Sequence, residues 1–562
     1  MGRFLPLLLV LGALLALPFL LRPAGPATDW MPGDAELVVI TPHNAAIRSE
    51  FGRAFSEWHE ARYGRPVQVD WVVIGGTSEI GRFLPSEFAG AVRAWWRERG
   101  RDWPAGATEA LFGKTRPESE ELAALWEAYR ATDDPQAFSS GIDLFFGGGE
   151  YDFRMASEQG LLVEPWPAGP PPGLFATPGG RTLIPERVSG ETWCSSTFFG
   201  SVLTTFGISF NRDRLRERGL PVPSRWIDLT DPGYRGQLGL ADPTKSGSSA
   251  RAFDLMIQER MRAAVLAAGF TPERIGELEG GPPEARPALY EETLAAGWRD
   301  GVRMIQLLGA NARYFTAASQ RVPFEVGMGE VAAGICVDFY GRFQAQFTPG
   351  AGERVGFVAP VGGTAVTSDP IGLLRGAPHR ELAVRFLEFT LGEDGQRLWC
   401  YRPGEPGGPQ KYALRRLPIR RDFYPAEDPE FRAAYERHAR HYADPLGDPA
   451  VNAYALSAAF TTWPRWTGAH FAAHRDLVRA MCMDSATELK TAWDAIVAAG
   501  PAVNPAALEA LARLPDRPEP LNWQSAPTIY KNHRRLDLLR EWTACFRANY
   551  REARALAEGT VD

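Results

Sequence analysis

The sequence predicts an α/β fold built on a parallel sheet, and three observations carry that prediction. Glu36 to Thr41 and Val67 to Ile74 are short runs of branched apolar residues, each followed by a polar or glycine-rich loop and a helical pattern. Gly141 to Phe146 repeats the arrangement and runs into Gly147-Gly148-Gly149. Gln237 to Ala241 repeats it again before Asp242-Pro243 and the loop Thr244-Lys245-Ser246-Gly247-Ser248-Ser249. Strand–loop–helix units of this kind build parallel sheets, and ligands sit at the carboxyl ends of their strands.

At 562 residues the chain is long enough for about three or four domains, or for two large lobes with additions. With 45% hydrophobic residues it can bury substantial cores. A net charge of −7 provides no global basic field for nucleic acid. The five cysteines are far apart and form no C-x-x-C pair, so neither a zinc site nor a redox motif is suggested. In residues 1–27, Arg3 precedes a mostly apolar run to Leu21, and Gly25 and Ala27 are small enough to flank a cleavage site. This segment reads as a signal peptide or an N-terminal anchor, and either places the body outside the cytoplasmic membrane, in the periplasm.

Taken in order, the first strand ends at Pro42-His43-Asn44, and a helix follows from about Ala45 to Tyr63. The second strand ends in Gly75-Gly76-Thr77-Ser78, and a helix starts near Glu79. Residues 85–140 read as a helical, tryptophan-rich insertion. The third strand leads to a helix over Tyr151 to Gly160, and residues 164–190 form a proline-rich connector. Ser201 to Asn211 is a β-type run long enough to cross between two lobes. Helices are expected at about 250–267 and 286–309, with strands near Tyr314, at Val322 to Met328 and at Gly334 to Tyr340. Val355 to Pro360 and Thr364 to Val366 read as returning strands, and Glu381 to Trp399 as one amphipathic helix. Beyond Cys400 comes a basic loop region with Lys411, Arg415, Arg416, Arg420 and Arg421, then a mainly helical remainder.

The loop 244–249 offers backbone N–H groups, hydroxyls and the positive end of a helix dipole, which is chemistry for holding an anion. It fits an ordinary Ser/Thr helix cap equally. The glycines at 147–149 fit either close backbone approach to a ligand or a tight turn. His470 and His474 are spaced i, i+4, but no glutamate of a zinc-protease motif lies between them. No G-x-S-x-G elbow and no phosphate-loop NTPase motif is present, and a hydrolase reading lacks an identifiable nucleophile–base pair, so the chain is not expected to be an enzyme.

Seven stretches, in order, resemble the periplasmic solute-binding proteins of ABC importers, in the branch that handles ferric ion, thiamine, phosphonates and phosphoesters. They are ELVVITPHN, VDWVVIGGTSEI, DLFFGGGEYDF, FGISFNRDRL, WIDLTDPGYRGQLGLADPTKSGSS, GICVDFYGRF and ELAVRFLEFTLGEDGQRLW. The resemblance implies a two-lobed type II periplasmic-binding-protein fold, with a ligand cleft between lobes and a helical C-terminal extension. Lobe one is expected at 34–200 plus 355–400, carrying the 85–140 insertion. Lobe two is expected at 205–350, and 401–562 is an extension of unassigned role.

The resemblance further implies capture of a small anionic organic solute, of phosphonate or phosphoester type, for an ABC permease and its ATPase. No cofactor is implied. On this reading the ligand-binding residues are His43, Asn44, Gly76, Thr77, Ser78, Gly148, Gly149, Thr244, Lys245, Ser246, Gly247, Ser248, Asp338 and Tyr340. The ferric branch places a histidine after the first strand, a glutamate after the third and an adjacent tyrosine pair in lobe two. Here His43 fits, glycines occupy the glutamate position, and the pair reads Phe339-Tyr340. Losing hard oxygen ligands disfavours Fe³⁺, so ferric binding stands as the alternative, beside a membrane-anchored ligand sensor. Asp338 fits either a ligand with separated charges or hydroxyls, or the role of a capping or salt-bridged aspartate.

Overall fold

The computed structural model describes residues 35–559, apart from 349, 351 and 501–504; the segment 1–27 lies outside them. Twelve strands are described: β1 Ala35–Ile40, β2 Val67–Val72, β3 Leu144–Phe146, β4 Leu162–Val163, β5 Arg187–Val188, β6 Glu191–Thr192, β7 Phe198–Asn211, β8 Leu238–Ala241, β9 Ala312–Thr316, β10 Ala333–Val337, β11 Val355–Val358 and β12 Val366–Leu374. The main path runs β2-β1-β3-β12-β7-β10-β8-β9. β1 is parallel to β2 and β3, and β8 is parallel to β9 and β10. β12 runs against β3, β7 runs against β10, and β7 and β12 run against each other. This gives two parallel α/β halves joined through a pair of long antiparallel strands, the two-lobed α/β class that the sequence predicted.

β7 is the shared member, with all 14 residues buried. Its first half pairs with β12, and its second half pairs with β10 and β11. Leu37, Val39, Leu144 and Phe146 face one core of the first half, while Ile40 and Phe145 face the other. This is the two-residue alternation of a sheet covered on both sides. The helix Thr77–Glu98 covers the second face. It runs straight into the expected insertion and through Pro85, because Ile80, Leu84, Phe88, Val92 and Trp95 keep one apolar stripe buried.

Three local expectations are corrected. Arg321–Met328 is a helix, not a strand: Val322 and Val326 bury one face, and Gly329 in the left-handed conformation closes it. Asp338 to Tyr340 open the helix Asp338–Phe347 rather than ending a strand. The expected helix over 381–399 is two, Arg380–Leu391 and Glu393–Cys400, parted at Gly392 in extended conformation. A helix at Pro272–Gly280, capped by Thr271, was not anticipated.

The C-terminal extension divides between the two halves. Leu414, Leu417, Ile419, Phe423 and Leu456 join the core of the first half, and Trp466, Trp493, Trp523, Trp542 and Tyr550 join that of the second. Residues 414–419 lie along β7: Leu203 N–H donates to the Leu417 carbonyl at 2.7 Å. Ile419 N–H donates to Gln396 Oε1, whose amide nitrogen donates in turn to the Ser201 carbonyl. Glu50, on the helix Ala45–Tyr63, accepts the N–H groups of Gln410, Lys411 and Tyr412 at 2.7–2.9 Å. Burial raises its pKa, but those three donors and Arg53 outweigh burial and hold it below the usual carboxylate range. Among the described residues no helix is long and apolar enough to cross a membrane.

Glu50 is therefore a test of the docking of residues 401–424. Glu50→Gln places an amide against one of three buried donors and should cost about 1–3 kcal/mol. The expected result is a lower thermal midpoint and faster proteolysis within 401–424. Because the folded pKa is depressed, the wild-type advantage holds above the ordinary carboxylate range and fades as pH falls through the folded value. Equal midpoints at pH 7 would count against this anchoring role.

Candidate functional site

The carboxyl ends of β1, β3, β8 and β10 point toward the seam where the two halves meet. Residues just after these strands meet there. At the seam, a Cβ built on Gly247 would lie 3.6 Å from Thr77 Oγ1. Gly147 and Gly148 have φ of +87° and +134°. A side chain at Gly147 would collide with the His43 ring, and one at Gly148 with Thr77 Cγ2. Both glycines thus provide conformation and close approach together. Gly149 instead has an ordinary φ of −94° and caps the helix Glu150–Glu158.

On one side of this contact lies a buried polar cluster. His43 is buried, edge-on to Phe146 at 4.8 Å, and its Nε2 has no hydrogen-bond partner among the described residues. Burial, then Arg416 and Arg48, holds its pKa well below the ordinary value, so the ring is neutral at pH 7. Asp338 is wholly buried, 3.9 Å from Arg342. Neither of its carboxylate oxygens accepts a well-formed hydrogen bond among the described residues. The amides of Phe339 and Thr205 lower its pKa from outside that geometry. Burial nevertheless pushes the carboxyl above the usual range, against Arg342 and Arg416. Tyr340 is pushed up to about 12 by burial, with Arg416 opposing and Asp369 adding.

Arg416 sits at the centre of this cluster, 1% exposed. Its guanidinium lies 4.2 Å over the Phe339 ring and 5.4 Å from Trp399. Nη2 donates to Asp369 Oδ2 and Thr204 Oγ1, while Nε and Nη1 have no partner among the described residues. The hydroxyl of Thr205 and Nη1 of Arg342 are likewise unpartnered. Buried polar atoms without partners are uncommon because each costs desolvation energy. Several of them lie together here, on His43, Thr205, Asp338, Arg342 and Arg416.

On the other side of the contact is a cavity of about 350 Å³. Ser78, Tyr151 and Asp152 line it from the first half, Thr244 from the second, and Arg475 and Arg535 from the extension. Burial raises the pKa of Asp152, with the Thr77 hydroxyl and Arg475 pulling the other way.

The loop 244–248 is largely satisfied by its own neighbours. Asp242 Oδ1 accepts the N–H and the hydroxyl of Thr244 at 2.8 and 2.6 Å. Ser246 caps the helix Gly247–Ala267 by accepting Ser249 N–H. Arg475 donates to the carbonyls of Pro243 and Thr244, both at 2.8 Å. Lys245 is exposed. Among the described residues neither its side chain nor that of Ser248 makes a hydrogen bond. Asn44 caps the helix Ala45–Tyr63 and is exposed, and Gly76 caps the helix Thr77–Glu98. His470 and His474 are buried structural residues: His474 Nε2 accepts from Trp298, and His470 Nε2 bonds the Trp523 carbonyl. Thus His43, Asp338 and Tyr340 share the polar cluster; Thr77, Gly148 and Gly247 meet beside it; and Ser78 and Thr244 line the cavity. Arg416, Asp369, Thr205, Arg342 and Gly147 join the site without having been singled out.

Asp338 yields a pH-dependent expectation. A carboxyl whose folded pKa is raised contributes stability below its unfolded pKa, and that contribution is lost as pH rises through the folded value. Asp338→Asn should therefore raise the ligand-free thermal midpoint at pH 7 by roughly 1–3 °C. The gap should narrow as pH falls below the carboxylate range. A variant less stable than wild type by the same margin at every pH would show that the carboxylate is a structural partner.

Residues 196–423, about two fifths of the chain, match the family described as bacterial extracellular solute-binding protein. An uncharacterized protein of Haemophilus influenzae is 24% identical over 267 residues, 47% of this chain and 61% of that protein. The phosphoglycerate transport regulatory protein PgtC of Salmonella typhimurium is 21% identical over 218 residues, 39% of this chain and 43% of that protein. The chain thus spans less than two thirds of either curated relative. The fructose-6-phosphate-bound periplasmic binding protein AfuA of Actinobacillus pleuropneumoniae is similar at 17% identity and a TM-score of 0.41, covering 65% of this chain and 81% of that one. The apo ferric ion-binding protein A of Pasteurella haemolytica is similar at 12% and 0.41, covering 79% and 97%. At these scores neither likeness bears on the ligand. Over residues 196–423 the chain matches the bacterial extracellular solute-binding protein family, as the resemblance in its sequence implied.

Proposed function

We propose that this protein is an extracytoplasmic, periplasmic solute-binding protein. It captures a small anionic organic solute bearing hydroxyls, of phosphoester or phosphonate type, and presents it to an ABC permease and its ATPase. The observation that carries the reading is a set of buried polar atoms at the seam that have no hydrogen-bond partner among the described residues: Arg416 Nε and Nη1, Arg342 Nη1, His43 Nε2, Thr205 Oγ1 and both oxygens of Asp338. Donors outnumber acceptors in that set, which suits an anionic group. The Asp338 carboxyl suits a hydroxyl beside it. A site that offers both rejects an analogue lacking either group, because a buried partner is then left unsatisfied. The name of the Salmonella relative, which specifies phosphoglycerate transport, supports the same ligand class.

The word regulatory in that name favours a second reading, in which the solute-loaded protein signals to a membrane partner. Ferric ion is disfavoured by the Arg416 cation, which lies close enough to His43 and Tyr340 to act on both. Among the described residues no group of three or more His, Cys, Asp or Glu side chains could hold a metal.

Native mass spectrometry of the protein from its own periplasm, with denaturing release, tests the reading. Thermal-shift titration with 3-phosphoglycerate, glycerol 3-phosphate, an aminoalkyl phosphonate and ferric citrate accompanies it. The expected result is a released or added phosphorylated solute that stabilises the protein by about 2.7 kcal/mol at a hundred times its Kd. Stabilisation by ferric citrate alone would replace the reading with iron capture.

A further inference from the structure

We propose that Arg416, contributed by the C-terminal extension, is the specificity-determining cation of the solute site. It holds the anionic group of the solute directly, and the loop 244–248 does not. The inference rests on the reading of the seam as the solute site and identifies which residue selects for charge.

Three observations carry it. First, Arg416 is buried and charged, yet among the described residues only its Nη2 has hydrogen-bond partners. Of the five N–H donors of a guanidinium, the one on Nε and the two on Nη1 are left over. A buried cation with three unused donors is costly to maintain for stability alone. Second, Arg416 is fixed in place. Its backbone N–H donates to the Trp399 carbonyl at 2.8 Å, and the next residue pairs with β7. Phe339 lies against its guanidinium from the second half and Trp399 from the first. The cation is therefore held from both sides of the seam, as a group that recognises a solute enclosed there must be.

Third, the loop that the sequence suggested for the anion already holds one of its own. The Asp242 carboxylate, 6% exposed, occupies the turn and takes the Thr244 donors. The hydroxyl of Ser246 serves as a helix cap, and Lys245 points away into solvent. The other basic side chains in the segment carrying Arg416 are engaged elsewhere: Arg415 with Asp444, Arg420 with Asp422, and Lys411 over the Tyr412 ring.

The test compares affinities of the full chain for 3-phosphoglycerate and for unphosphorylated glycerate by titration calorimetry. In wild type, phosphorylation should improve affinity at least a hundredfold. Arg416→Gln should cut that preference to below tenfold, and Arg416→Lys should leave an intermediate preference. Ser248→Ala should change affinity by less than twofold. A merely structural arginine would weaken both probes equally and keep their ratio. Asp369→Asn with Arg416→Gln removes the ion pair as a unit, so the ratio stays measurable if the single variant folds poorly. An unchanged ratio in folded Arg416 variants would overturn the inference alone. A wild-type protein that binds neither 3-phosphoglycerate nor glycerol 3-phosphate nor inorganic phosphate would overturn the reading of the site, and the inference with it.

Discussion

The structure depends on one strand belonging to two sheets. β7 buries all fourteen of its residues, and it can do so because every edge is taken. β12 covers one edge of its first half, where Leu417 bridges Leu203 on the other, and β10 and β11 flank its second half. An unpaired backbone group at that depth would cost as much as a lost hydrogen bond. The two halves are therefore not independent bodies laid side by side. Their strand ends are brought to one seam because they share this strand, and the polar side chains that follow those ends have nowhere else to go.

That sharing explains why the extension cannot be treated as an appendage. Residues 414–419 complete the pairing of β7, so removing them would expose backbone in the middle of the sheet, not at its rim. The first part of the extension packs on one half and the later helices on the other. The chain passes between halves near Thr462. There Glu191, from the β5–β6 hairpin, accepts from both the Thr462 hydroxyl and Arg251 of the second half. The same network continues through Asp254 toward His474. Buried polar atoms are best tolerated when joined in such chains.

Much of this was legible in the sequence where one physical rule dominates. β1, the helix Ala45–Tyr63 and the crossing strand β7 follow from branched apolar runs and turn residues alone. The errors have particular causes. Val322 to Met328 is as apolar as a strand, but Val322 and Val326 at i, i+4 bury one helical face, and seven residues are too few for periodicity to decide. The position of His43 and Asp338 at the seam was legible because each comes soon after a strand, three residues past β1 and one past β10. Arg416 was not, because nothing local separates it from Arg415 or Arg420. Only the fold shows that its neighbours spend their charge on Asp444 and Asp422 while its own faces inward. Gly147 was passed over for Gly148 and Gly149, since three consecutive glycines do not reveal which one lies under the His43 ring.

Two-lobed binders open and close by hinge motion about their crossing strands, and here the extension ties that motion to its own packing. Separating Thr77 from Gly247 means separating the helices Thr77–Glu98 and Glu150–Glu158 from the second half. The helix Phe471–Val478 moves with that second half, since Arg475 holds the carbonyls of Pro243 and Thr244. Its Phe471 ring, however, packs against Tyr151 of the first half at 5.2 Å. Arg416 stays with the first half through Trp399 and β7, while Phe339 and Asp338 leave with the second. On the proposed reading, a hinge opening of the seam would part the cation from its aromatic cover and expose both to water. Closing it removes that water and strengthens every remaining polar contact. The Phe471–Tyr151 contact spans the same two halves, so it would part in the same opening.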